Sequence, residues 1–203
     1  MTRRSSKRQA PMGAADFMSQ RASDPDYQRR AQAAKAQREL RAETFARASA
    51  PIVADLRRAG LRVDSIWELP SKPESYPAAL PVLIDHLERG GYPESVTGSV
   101  GQALAVKPAL LFWDRLTTLY LNARDAGEEE AAAVALAGCA TKSQVDDLIG
   151  FLPLRERGLS RIYFLRPLLK VGGARGREVV EGLVADPVFG EEATALLGSR
   201  NRS

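Results

Sequence analysis

Apolar positions along the chain fall most regularly into helical spacing over residues 79–105, ALPVLIDHLERGGYPESVTGSVGQALA. Leu80, Leu83, Ile84 and Leu87 stand at i, i+3, i+4 and i+7, one face of a helix, while Asp85, Glu88 and Arg89 fall on the opposite face. Gly90 and Gly91 follow, and glycine reaches the left-handed conformation of a helix C-cap at little steric cost. Pro93 suits the first turn of a second helix. There Val96, Val100, Ala103 and Leu104 again form one stripe. Gly98 and Gly101 each cost about 1 kcal/mol relative to alanine inside a helix, so their presence predicts close approach to a neighbouring backbone. Such a hairpin cannot cover its own apolar faces, and a repeat is the natural way to cover them.

The pattern does recur. Leu80, Trp113, Val145 and Gly176 hold equivalent places in four leading helices, separated by 33, 32 and 31 residues on subtraction. Their partners one turn on are Leu83/Ile84, Leu116/Thr117, Leu148/Ile149 and Val179/Val180. The trailing stripe recurs as Ala132-Leu136-Cys139-Ala140 and as Phe189-Ala193-Leu196-Leu197. In the third copy Leu165, Leu168 and Leu169 fit, but Arg161 stands where an apolar residue is expected. Two further departures are Thr117 on the core-facing stripe and Pro167 within RIYFLRPLLKV, where a mid-helix proline predicts a kink.

Upstream, residues 1–23 lack a sustained apolar period and read as a flexible basic tail. They lack the apolar core of a signal peptide, and Arg and Ser enrichment ahead of Asp16 leaves a mitochondrial presequence open. Asp24-Pro25 is a helix-start signal, and residues 24–49 read as a long, largely solvated helix with a thin stripe of Tyr27, Ala31, Ala34, Leu40 and Phe45. Over residues 50–76 two short helices, one carrying Ile52, Val53 and Leu56, the other Ile66, Trp67 and Leu69, form an N-terminal cap. Repeats fill 77–198, and 199–203 is a C-terminal tail.

These leading and trailing patterns (ALPVLIDHL and DDLIGFL; ESVTGSVGQALA, AAAVALAGCA and GEEATALLG) resemble HEAT-like repeats. The resemblance implies an all-α fold: an α-solenoid of about four stacked hairpins, an N-terminal helical cap and a long basic N-terminal helix or arm. HEAT-like motifs are patterns of residue type, so they carry a fold and no invariant site. By composition Trp113-Asp114 also resembles the acid-plus-aromatic pocket of HEAT-like DNA glycosylases, although Trp113 sits in the core register.

Candidate chemistry is sparse. The chain has one His and one Cys, too few for a protein zinc site. Cys139 lies on a small-residue stripe and is expected to be buried packing. His86, near a helix C-terminus, is expected to be structural, with the helix dipole favouring its charged form. Gly172 to Arg177 follows a helix rather than a strand and reads as an inter-repeat loop. Glu128-Glu129-Glu130 reads as the charged start of a helix.

Charge distribution changes the picture most. Residues 1–50 hold 11 Lys/Arg and 5 Asp/Glu, a balance of +6, whereas residues 51–203 hold 18 and 20, a balance of −2. Within the repeats, Arg155, Arg157, Arg161, Arg166, Lys170, Arg175 and Arg177 stand against Glu156 alone, and Tyr163 lies among them. Six acids against Lys142 span Asp125 to Asp147. Segregated charge of this kind suits electrostatic recognition. The expectation is a non-enzymatic scaffold without cofactor or metal, binding another protein through the solenoid surface and the basic arm. Partner contacts are expected at those seven cations and Tyr163. Nucleic-acid binding through the arm and the Arg155–Arg177 cluster is the alternative, and a glycosylase the remote one. The lone Cys and the absence of an export signal point to a cytoplasmic protein without membrane contact, and the high Ala, Arg and Gly content points to a bacterial or phage source.

Overall fold

The computed structural model describes residues 24–72 and 75–200, so the predicted tail 1–23 and the end of the C-terminal tail lie outside the described residues. Every regular element among those described is helical. None of the helices is long and apolar enough to cross a membrane. The chain divides between Thr44 and Phe45 into two compact units, with one helix, α1 (Pro25–Arg58), running through the division.

Asp24 accepts a hydrogen bond from the Asp26 N–H at 2.9 Å, and Pro25 is the first helical residue. Residues 24–44 are exposed throughout. The sequence predicts a second helix starting after residue 49, but α1 is continuous through Pro51. A proline inside a helix costs about 3 kcal/mol. Burying Ile52, Val53 and Leu56 returns about 1.5–3 kcal/mol for each side chain, which is enough to carry the helix across.

In the second unit, a 3₁₀ turn (Ile66–Glu68) is fixed by a reciprocal capping box between Ser65 and Glu68. Ile66 and Leu69 are buried by it, while Trp67 stays 51% exposed. Helices α2 (Ala79–Arg89) and α3 (Glu94–Leu104) then form the predicted hairpin, with all eight stripe residues buried. Gly90 ends α2 at φ 64°, and Pro93 is the N-cap residue of α3 rather than part of its first turn. Next come α4 (Trp113–Leu121) and α5 (Ala126–Cys139), with a 3₁₀ stretch (Lys107–Phe112) ahead of α4.

Helices α3 and α5 lie side by side in the same direction, for Glu94 meets Gly127 at their starts and Ala105 meets Gly138 at their ends. A Cβ added to Gly101 would fall 2.6 Å from the Ala131 backbone, and one added to Gly138 would fall 2.5 Å from Ala105. The predicted close approach is therefore real at Gly101. At Gly98 it is not, since a Cβ there would meet nothing within 4 Å. Hydrogen bonds also join elements a little over 30 residues apart in the chain. Trp113 Nε1 donates to Asp147 at 2.8 Å across 34 residues, and Tyr163 donates to Glu130 across 33. Arg115 reaches back from α4 to Asp85 and Glu88 of α2 at 2.7 and 2.6 Å.

The third pair departs from the pattern. Helix α6 (Val145–Phe151) is followed by a 3₁₀ stretch (Arg155–Phe164), broken at Gly158 with φ 48°, and then by α7 (Leu165–Val171). Pro167 is the third residue of α7, where its missing N–H has no intrahelical partner to lose, so the predicted mid-helix kink does not arise. Tyr120, Phe151 and Phe164 fill this part of the core with ring centroids 5.1–5.3 Å apart. Thr117 holds its predicted stripe position, with a buried hydroxyl that has no hydrogen-bond partner. The predicted loop from Gly172 to Arg177 is instead mostly helix: α8 spans Gly173–Gly182, and α9 (Gly190–Arg200) completes the last pair.

Candidate functional site

Along α3 and α5 runs an open groove of about 1650 Å³, larger than the roughly 300–1,000 Å³ of a small-molecule site. Its floor follows from the small residues that let these helices approach each other. Gly98 and Gln102 come from α3, and Ala131, Val134 and Ala137 from α5. Leu159, Ile162, Tyr163, Arg166 and Lys170 line it from the 3₁₀ stretch and α7, and Trp67 lines it from the capped turn. Leu159 is 70% exposed, Trp67 51% and Tyr163 40%, so the groove presents apolar side chains to solvent.

Charge is distributed along it. Glu94, Glu129 and Glu130 line the groove where α3 and α5 begin. Lys107 marks their other end, its Nζ donating to the Cys139 and Ala140 carbonyls. The Tyr163 hydroxyl donates to Glu130, and that bond, helped by partial burial, pushes the phenol up to about 12. Arg166 and Lys170 are exposed and have no acidic partner among the described residues.

Of the eight residues expected to bind a partner, Tyr163, Arg166 and Lys170 line the groove. Arg161 does not belong to that surface: it is 6% exposed, donates to the Gly158 and Leu152 carbonyls at 2.8 and 2.7 Å, and lies over the Phe189 ring. It occupies an apolar register position because its guanidinium satisfies backbone groups left open around the Gly158 break. Arg157 is also committed internally. It donates to the Tyr120 and Leu121 carbonyls that close α4 and pairs with Glu129 at 3.6 Å. Arg175 pairs with Asp146 at 2.5 Å and Arg177 with Glu181 at 3.3 Å, both on exposed side chains. Arg155 is exposed but does not line the groove. Sequence reasoning missed Trp67 and Leu159. The buried neighbours Ile66 and Leu69 on either side of Trp67 were the available signal.

The other candidates resolve into packing. His86 is buried, with Nε2 2.9 Å from Asp55 and Nδ1 2.6 Å from the Tyr92 hydroxyl. Its pKa lies below 6.5 because burial penalises the charged form more than Asp55 supports it. The expectation that the helix dipole would favour the charged form is thus overturned by desolvation. Cys139 is buried, and burial raises its thiol to about 11. Trp113 is buried and bonded to Asp147, whereas Asp114 is exposed and neither lines the groove. Each member of the acidic run is engaged: Glu128 by Arg124, Glu129 by Ser160, and Glu130 by Tyr163. Among the described residues no cluster of His, Cys, Asp or Glu could hold a metal ion. No family model, curated protein or solved structure matches the chain.

Proposed function

We propose that this protein is a HEAT-like α-solenoid that works without catalysis, holding a segment of a partner protein in the groove along α3 and α5. The observation that carries this is an open groove with a small-residue floor, bordered by exposed Trp67, Leu159 and Tyr163 and by Arg166 and Lys170, which have no acidic partner among the described residues. Same-direction packing of α3 and α5, and bonds recurring at 33 and 34 residues, support the stacked-hairpin reading. A small-residue floor admits the close approach of a helix. The fitting partner has an apolar strip and acidic residues placed for Arg166 and Lys170. A cytoplasmic setting accords with the single buried thiol.

The test compares nuclease-treated captures from native lysate by wild type and by Leu159→Asp/Arg166→Gln/Lys170→Gln. Exposed changes of this kind shift stability by about 0.5 kcal/mol or less. The expected result is a protein retained by wild type and lost by the variant. Identical captured sets would overturn the groove as the binding surface.

A further inference from the structure

In the first unit the helix is exposed from residue 25 to 44, and three of its arginines share one face. At about 3.6 residues per turn, Arg30, Arg38 and Arg41 fall within roughly 80° of arc and span about 16 Å along the axis. Glu39 and Glu43 fall on the opposite side. Arg29 is paired with Asp26, and Lys35 with Glu39 at 3.8 Å. Arg38 and Arg41 have no acidic partner among the described residues, and Arg30 donates only its Nε, to the Asp26 carbonyl at 3.2 Å.

We infer that this arginine face binds the phosphate backbone of double-stranded DNA, an activity separate from the groove. Three exposed arginines on one face of a solvated helix, none with an acidic partner among the described residues, form the electrostatic footprint of a polyanion site. A helix about 10–12 Å across fits the roughly 12 Å major groove of B-DNA but not the deep, narrow one of A-form RNA. An anionic membrane is the poorer match. Interfacial helices carry Trp, Phe or Leu opposite their charges, whereas the side opposite these arginines carries Gln32, Glu39 and Glu43. Residues 1–23 add five Lys/Arg against one Asp to the same end of the sequence.

The test is anisotropy of a labelled 20-base-pair duplex with the full chain across a salt series. Wild type is expected to bind at low salt. Arg30→Gln/Arg38→Gln/Arg41→Gln is expected to weaken binding about tenfold or more and to lower the slope of log affinity against log salt by about 3. Arg29→Gln should leave both unchanged, and the triple Arg→Lys variant should retain binding, which separates lost charge from lost helix. Absent wild-type binding, a triple Gln variant that matches wild type, or equal displacement of the duplex by polyglutamate or phosphatidylserine vesicles would each overturn the inference.

Discussion

Two cation-bearing stretches of this chain differ in net charge and, in the opposite sense, as surfaces. Between positions 155 and 177 there are seven cations against Glu156, yet Arg161 and Arg157 serve backbone carbonyls, and Arg175 and Arg177 serve carboxylates. Between positions 24 and 44 the nominal excess is smaller, but Arg30, Arg38 and Arg41 share one helix face and have no acidic partner among the described residues. Residues 25 to 44 are one uninterrupted stretch of helix with exposed side chains. The 155–164 stretch is interrupted by Gly158, where Arg161 donates to the Gly158 carbonyl, while Arg157 donates to the carbonyls that close α4. Net charge therefore overstates a binding surface where arginines are drawn onto backbone carbonyls or into ion pairs.

The difference is most exposed to test at Arg161. Arg161→Leu leaves the Leu152 and Gly158 carbonyls without their donors, and unpaired buried groups cost about 1–3 kcal/mol each. A loss of about 2–4 kcal/mol is expected in urea denaturation; a loss under 0.5 kcal/mol would return Arg161 to the surface class. Arg157→Ala should cost less, roughly 1–2 kcal/mol, because its side chain is 18% exposed and water can replace part of its bonding.

A buried titratable group extends the comparison to pH. Since the His86 pKa is lowered on folding, the unfolded chain takes up the proton first. Its contribution is therefore complete above 6.5 and fades as pH falls toward the folded value. Wild type should lose stability between pH 7 and pH 5.5 relative to His86→Gln, read as the difference in urea midpoints; equal slopes would contradict the assignment. The smallest effect is expected at Arg166→Gln and Lys170→Gln, about 0.5 kcal/mol or less. A larger loss in either variant would place that cation among the internally engaged ones.

The helical class and the 79–105 hairpin were legible because apolar spacing at three and four residues admits only one structure there. The α3/α5 contact was legible too, from Gly101, since a glycine inside a helix needs a reason. The same argument failed at Gly98, whose open side faces the groove. Glycine spacing alone does not say whether the space beside it is filled. The third pair was misread where Gly158 and Pro167 shift the start of α7, because the apolar stripe records register and not where a helix begins. The site was partly legible. Tyr163, Arg166 and Lys170 were found through charge, whereas Trp67 and Leu159 were hidden because an apolar residue in a helical pattern is read as core.

The central claim, that the groove is the working surface, is tested most directly by site-specific photo-crosslinking in the native cell. A photoreactive phenylalanine would replace Leu159, which is 70% exposed in the groove, or Leu111, which is 88% exposed and lies off it. The account predicts a discrete protein adduct from position 159 that is absent at 111 and is lost when Arg166→Gln/Lys170→Gln is added. Adducts of equal yield from both positions, or from 111 alone, would contradict it.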